Sequence, residues 1–262
     1  MRADHYRKSG FSLVELSIVL VILGLLTGGI LGGQSLIHAA ELRAVSKEYE
    51  TWNTAINIFK DKYFGLPGDI TNATDFWGAA DTSGSGGECG SPGTDAGTGT
   101  QTCNGNGDGL IYQSHEPHRF WQHLANAGLI TGQYTGTQGS GSNAHSVIGE
   151  NAPTSKFNSG GWSTVYIGQD SGDATYWLAY DYGHALLMGG QHHSSKTIQT
   201  LFSPEDAWNI DTKLDDGRPA QGKMIIHWHQ YCTTAADEND SDADYDFTQT
   251  GEECSLVFTH AY

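Results

Sequence analysis

Apolar residues dominate the chain from Phe11 to Ile37, and beyond that run they thin out into a stripe. From Leu16 to Ala40 there are 25 residues without Asp, Glu, Lys or Arg, enough as an α-helix to cross a hydrocarbon core of roughly 30 Å. Leu42, Val45, Tyr49, Trp52, Ile56, Phe59 and Tyr63 then recur at spacings of three and four. That period marks one face of a helix and predicts burial of the face against a folded body. A free coiled coil is the alternative, but too few heptads follow the apolar run to favour it. Gly65 and "LPGD" predict the stop.

Past the stop the pattern breaks into shorter pieces. Gly78 to Gly109 is mostly Gly, Ser, Thr and Asp with few apolar anchors, which predicts a long loop without regular elements. "EPHRFWQHLANAGLI" predicts a helix with Pro117 in its first turn, Phe120, Trp121, Leu124 and Ala125 facing inward, and Gly128 as its stop. "SPEDAWNIDTKLDDG" predicts another, capped by Ser203, with Pro204 next and Asp206 completing an S-x-x-D box. The runs "STVYIG", "TYWLAYD", "HALLMG", "KMIIHWH" and "SLVFT" read as short strands. An antiparallel sheet lying on the amphipathic part of the first helix would cover its stripe, which makes the expected class α+β.

Charge and cysteines narrow the setting. The 262 residues carry a formal charge of −17, with 35 glycines and 37% hydrophobic residues. An acidic surface repels a phosphate backbone, so no nucleic-acid partner is expected. Arg2, Arg7 and Lys8 precede the apolar run, which places the N-terminus in the cytoplasm and the rest of the chain outside it. A conventionally cleaved signal peptide would have a shorter apolar region and a small-residue site, which "LIHAAELRA" imitates poorly. The cysteines Cys89, Cys103, Cys232 and Cys254 allow three connectivities. In an oxidising, exported domain the expectation is the local pairing, Cys89 with Cys103 and Cys232 with Cys254. The spacings fit no zinc ribbon.

Glu15 is the anomaly of the apolar run. A carboxylate at membrane depth is costly and marks a functional position by default. Ser12-Leu13-Val14-Glu15 is also an S-x-x-E capping box, which would use the same side chain to satisfy an orphan amide. "KSGFSLVELSIVLVILGLL", with a basic leader, Gly10 followed by Phe11, Glu15 and then an apolar helix, resembles the prepilin-type N-terminus of type IV pilins and type II secretion pseudopilins. The resemblance covers only the start of the chain. It implies a pilin-like fold, in which a long N-terminal helix packs on an antiparallel head with long loops. It also implies that a prepilin peptidase cuts between Gly10 and Phe11 and methylates the new amine of Phe11. The expected divisions are a leader 1–10, a membrane and filament-core helix 11–40, an amphipathic continuation 41–64 and a head 65–262. The expected partners are the peptidase, the inner membrane, and this and other pilin-like subunits in a filament, where Glu15 of one subunit neutralises the Phe11 ammonium of another.

Other candidates are weighed against plainer roles. Gly28, Gly29, Gly32 and Gly33 form overlapping G-x-x-x-G patterns, suited to close helix packing in lipid or to local unwinding. Asn104, Asn106 and Asp108 alternate before Gly109 like half of a calcium loop, but His115 stands where the bidentate Glu belongs and Glu116 is one residue late. Those four side chains, Asn104, Asn106, Asp108 and Glu116, are the candidate ligands for Ca2+, against a Gly/Asn turn. The acidic run "DENDSDADYDF" is a second, weaker calcium candidate. Among the 12 histidines, His192 and His193, and His227 with His229 on one strand face, are compatible with metal. No H-E-x-x-H, G-x-S-x-G, Walker A or Rossmann fingerprint is present, so an enzyme is not expected. The expected function is structural. The alternative is a minor or tip adhesin whose tryptophans and tyrosines bind a surface ligand or carbohydrate.

Overall fold

The computed structural model describes residues 12–80, 96–112, 115–139, 146–192 and 196–262. Gly10, Phe11, Cys89 and His193 lie outside them. The first helix, α1, runs Leu13–Tyr63, and the chain divides into two compact units, Met1–Glu41 and Leu42–Tyr262.

In the first unit the apolar side chains from Leu13 to Ile37 are exposed, including Leu16, Ile18, Leu25 and Leu31. An apolar helical surface left uncovered requires a nonaqueous partner. Among the described residues α1 is the one helix long and apolar enough to cross a membrane.

The second unit is an α+β head. From Leu42 onward α1 buries Leu42, Val45, Trp52, Ala55, Ile56 and Phe59, and packs Tyr49 and Tyr63 against the same core. This is the predicted stripe. The left-handed residue that ends the helix is Phe64, at φ 56, rather than Gly65. Gly65 is needed for closeness instead, because a Cβ there would come within 2.7 Å of Ile70.

Four strands, β1 (Gly161–Asp170), β2 (Tyr180–Gly189), β3 (Met224–His227) and β4 (Ser255–Phe258), form one sheet in the order β1-β2-β4-β3. All neighbours are antiparallel, with Leu186 opposite Phe258 and Ile226 opposite Leu256. One face, with Leu186, Met188, Met224, Ile226, Leu256 and Phe258, shares a core with the α1 stripe. The other buries Val165, Tyr182, Ala185, Leu187, Ile225 and Val257 with Ile198. Burial on both faces explains why β3 and β4 read as unbroken apolar runs instead of alternating ones.

Around the sheet stand α2 (Ala73–Trp77), α3 (Glu116–Asn126), α4 (Pro204–Leu214) and α5 (His229–Cys232). In α3 Phe120, Trp121 and Leu124 are buried, and Gly128 follows at φ 71. In α4 the Ser203 hydroxyl accepts the Asp206 amide at 3.1 Å, the predicted cap. One expected strand is different. "TYWLAYD" is a turn that leads into β2, because the Asp173 carboxylate accepts the amides of Thr175 and Tyr176 at 2.9 and 2.6 Å and takes them from any ladder.

Candidate assembly site and the head behind it

At the start of α1 the Glu15 carboxylate accepts the Ser12 amide at 2.9 Å, and the Ser12 hydroxyl accepts the Val14 amide at 3.3 Å. This reciprocal box satisfies two donors that a helix start otherwise leaves orphaned. It also fixes Glu15 in the first turn, where a negative charge favours the helix dipole. The predicted capping geometry is therefore present.

The rest of the first unit is built for contact with something else. A Cβ at Gly24, Gly28, Gly29, Gly32 or Gly33 would meet nothing within 4 Å, so no neighbour among the described residues requires these glycines. Within the membrane-length run, Thr27 and Ser35 satisfy their hydroxyls on carbonyls of the preceding turn, Leu23 and Gly32, at 2.9 and 3.0 Å. No polar group of theirs has to face lipid unpaired.

In the head, one side chain fastens the sheet to α1. The Glu48 carboxylate accepts the Ser155 hydroxyl at 2.7 Å, the Trp162 indole N–H at 2.8 Å and the Lys156 amide at 3.0 Å. Sequence reasoning missed it, since a glutamate off the apolar stripe reads as solvated. A second tie is the disulfide between Cys232, at the end of α5, and Cys254, beside β4. Cys103 is also disulfide-bonded, and its expected partner Cys89 lies outside the described residues.

The family comparison bears on the first of these regions. Residues 5–31 match the model of the prokaryotic N-terminal methylation motif. The chain carries the prepilin-type signature of type IV pilins and pseudopilins. Neither the curated proteins nor the solved structures gave a match. The motif and the single apolar helix fit a membrane-anchored pilin, and the α+β head on a long helix is a pilin-like architecture.

The calcium candidates of this pilin-like head are hydrogen-bonded within the chain. Asn104 accepts the Thr74 amide at 2.9 Å and so caps α2. Asn106 and Asp108 bond to one another, and Asp108 also accepts the Leu110 amide. Glu116 is buried at the start of α3 and accepts the Tyr112 amide at 3.3 Å. The loop amides converge instead on Asp69, whose carboxylate takes Gly107 at 2.7 Å and Gly109 at 2.9 Å. The acidic run around Asp237 and Asp240 likewise turns its carboxylates to its own backbone, at Asn239 and Ala236.

The histidines divide into distinct roles. His123, buried in α3, accepts the Gly68 amide on Nδ1 at 2.9 Å and meets the Thr102 hydroxyl on Nε2 at 2.9 Å. An acceptor at Nδ1 requires neutral imidazole, and burial, with Arg119 nearby, holds its pKa down to about 3. His227 and His229 do not share a strand face as expected. Trp228 between them adopts φ 64, which ends β3 and turns His229 to the Asp173 carbonyl at 2.9 Å.

Proposed function

We propose that this chain is a prepilin-type structural subunit of a type IV pilus or a type II secretion pseudopilus, assembled through its N-terminal helix and not catalytic. The observation that carries the reading is the exposed apolar helix beginning with the Ser12–Glu15 box inside the methylation motif. Processing by a prepilin peptidase and assembly with other pilin subunits follow from that motif. Cleavage between Gly10 and Phe11 would remove the basic leader, with Arg2, Arg7 and Lys8, and leave the anchor intact. The leader's charge orients the N-terminus to the cytoplasm and the head to the outside of the inner membrane. The proposed divisions are then leader 1–10, core helix 11–40, stem 41–64 and head 65–262.

Once the leader is gone, a methylated ammonium stands at Phe11 in an apolar setting. Glu15 of a neighbouring subunit neutralises it, and its own capping bond to Ser12 serves the monomer before assembly. Glu15→Ala tests this. Removing one member of a buried ion pair costs about 3–5 kcal/mol, whereas losing a cap costs about 1 kcal/mol. The variant should insert and be cleaved, yet be nearly absent from sheared filaments when no wild-type copy is present. Filaments at the wild-type level would refute the pairing and leave Glu15 as a helix cap.

A further inference from the structure

A cavity of about 220 Å³ opens in the head where the loop before β2 meets the end of β3. Tyr176, Trp177, His192, Ile198, His227 and Trp228 line it. It is smaller than the roughly 300–1,000 Å³ of drug-sized sites, which suits one ring. Its walls are flat and aromatic: Tyr176 stands edge-on to Trp228 at 4.4 Å, and Trp177 stands edge-on to His227 at 4.2 Å.

The decisive group is His227. The residue is 1% exposed, and among the described residues neither ring nitrogen has a hydrogen-bond partner. Burial, then Lys196, His192 and His229, depress its pKa to about 3, so at neutral pH it offers one donor and one acceptor. A buried polar ring left in that state asks for an explanation. Beside it Trp228, a bulky residue, is held in the left-handed region at φ 64. Its amide donates to the Tyr176 carbonyl at 2.8 Å and its indole to the Ile198 carbonyl at 2.7 Å. Backbone strain of this kind gathers at ligand sites.

We infer that this cavity binds a single neutral sugar ring, whose apolar C–H face lies on the tryptophan and tyrosine rings and one of whose hydroxyls pairs with His227 once that ring turns a nitrogen, sealed from solvent in the unliganded head, toward the cavity. Alternative ligands match less of the site. A wholly apolar ligand would leave His227 unpaired. A transition metal would need more donors, and among the described residues no third His, Cys, Asp or Glu joins His192 and His227 there. An anion would approach a chain of charge −17, and Lys196, the cation whose charge acts on His227, lies over the Trp177 ring at 4.8 Å. A hydroxylated ring with one apolar face matches both halves of the lining. The inference does not rest on filament assembly.

The test uses the full-length protein in a zwitterionic detergent with no sugar headgroup. Saturation-transfer NMR with free glucose, galactose, mannose and N-acetylglucosamine should show transfer to the C–H protons of at least one. His227→Phe should weaken that binding about tenfold or more while leaving the melting temperature unchanged or raised, because an apolar ring replaces an unpartnered imidazole. Trp177→Ala should also abolish it. An array of glycans with the same terminal sugars separates a free-sugar site from one that reads the end of a surface glycan, and either source supports the site. Absence of transfer from all four sugars together with a blank array would overturn the inference, as would equal binding by wild type and His227→Phe. A zinc-dependent quenching of tryptophan fluorescence that requires His227 and that no sugar competes would overturn it in favour of metal.

Discussion

Glu48→Ala should loosen the sheet from the stem. The carboxylate collects three donors, and two of them, the Trp162 indole and the Ser155 hydroxyl, belong to buried residues. Hydrogen bonds to a charged acceptor contribute about 1.5–3 kcal/mol each, and a buried donor left behind loses its desolvation energy outright. The Lys156 amide sits on an exposed residue and recovers water, so it adds little. The two buried donors together give about 3–5 kcal/mol, a large share of the roughly 5–15 kcal/mol that holds a domain together. For a head of this size the melting temperature should fall by roughly 6–20 °C. Near-ultraviolet circular dichroism of the full chain in micelles reads this directly, because Trp52 and Trp121 stand edge-on 5.5 Å apart within the same core. Glu48→Gln, which keeps one acceptor oxygen, should fall between. In the Glu48→Ala background, Trp162→Phe should cost less than it does in the parent, since its lost donor is already unsatisfied. A Glu48→Ala melt within about 2 °C of the parent, or additive behaviour of the two changes, would refute the account.

The remaining predictions concern pH, covalent closure and metal. Burial, reinforced by Asp216 and Asp215 and opposed by the Tyr245 hydroxyl at 2.8 Å, raises the Asp211 pKa from 3.8 to about 7. The folded state therefore holds that proton more tightly than the unfolded one, and stability from this group declines as pH rises from about 4 to about 7. Asp211→Asn should flatten that part of a urea-midpoint profile by on the order of 3 kcal/mol after allowance for solvent screening. His123 and His184, depressed by burial to about 3 and about 4, act in the opposite sense. They give full stability above the ordinary value of 6.5 and lose it as pH falls toward those values, so the head should unfold on acidification. Cys232→Ser with Cys254→Ser opens a loop of sequence separation 22, and chemical denaturation should show a loss of about 3 kcal/mol. Because the loop amides around Asp108 serve Asp69, EDTA should leave the melting temperature unchanged, and a chelator-sensitive melt would reopen calcium.

How much of this was legible in the sequence depended on whether the signal was local. The stripe from Leu42 to Tyr63 needed only its period, and Ser203 and Ser12 announced their helices through side chains that reach a few residues along. The Cys232–Cys254 closure followed from compartment and proximity in sequence. What failed was whatever a distant or competing group decides. "TYWLAYD" has a strand's composition, but Asp173 captures its amides. His227 and His229 have a strand's alternation, but Trp228 turns the chain between them. The stretch around Asp108 gave no sign that the amides of Gly107 and Gly109 converge on Asp69, some 40 positions away in the chain. Glu48 carried no signal at all, since its three donors come from a segment more than 100 positions later.

The strand order has a consequence for how such a subunit is made. β4, Ser255–Phe258, comes last of the four described strands, yet it lies between β2 and β3 and pairs with both. A nascent chain that has emerged only as far as β3 has a hairpin and a lone strand with a gap between them, and no partner to bridge it. Nor can Cys232 find Cys254 before the same segment appears. Closure of the sheet and of the bond thus coincide with the arrival of the segment from Cys254 to Phe258. A chain cut short before Ser255 would present an open, protease-sensitive head, so the arrival of this one segment is registered in the fold itself.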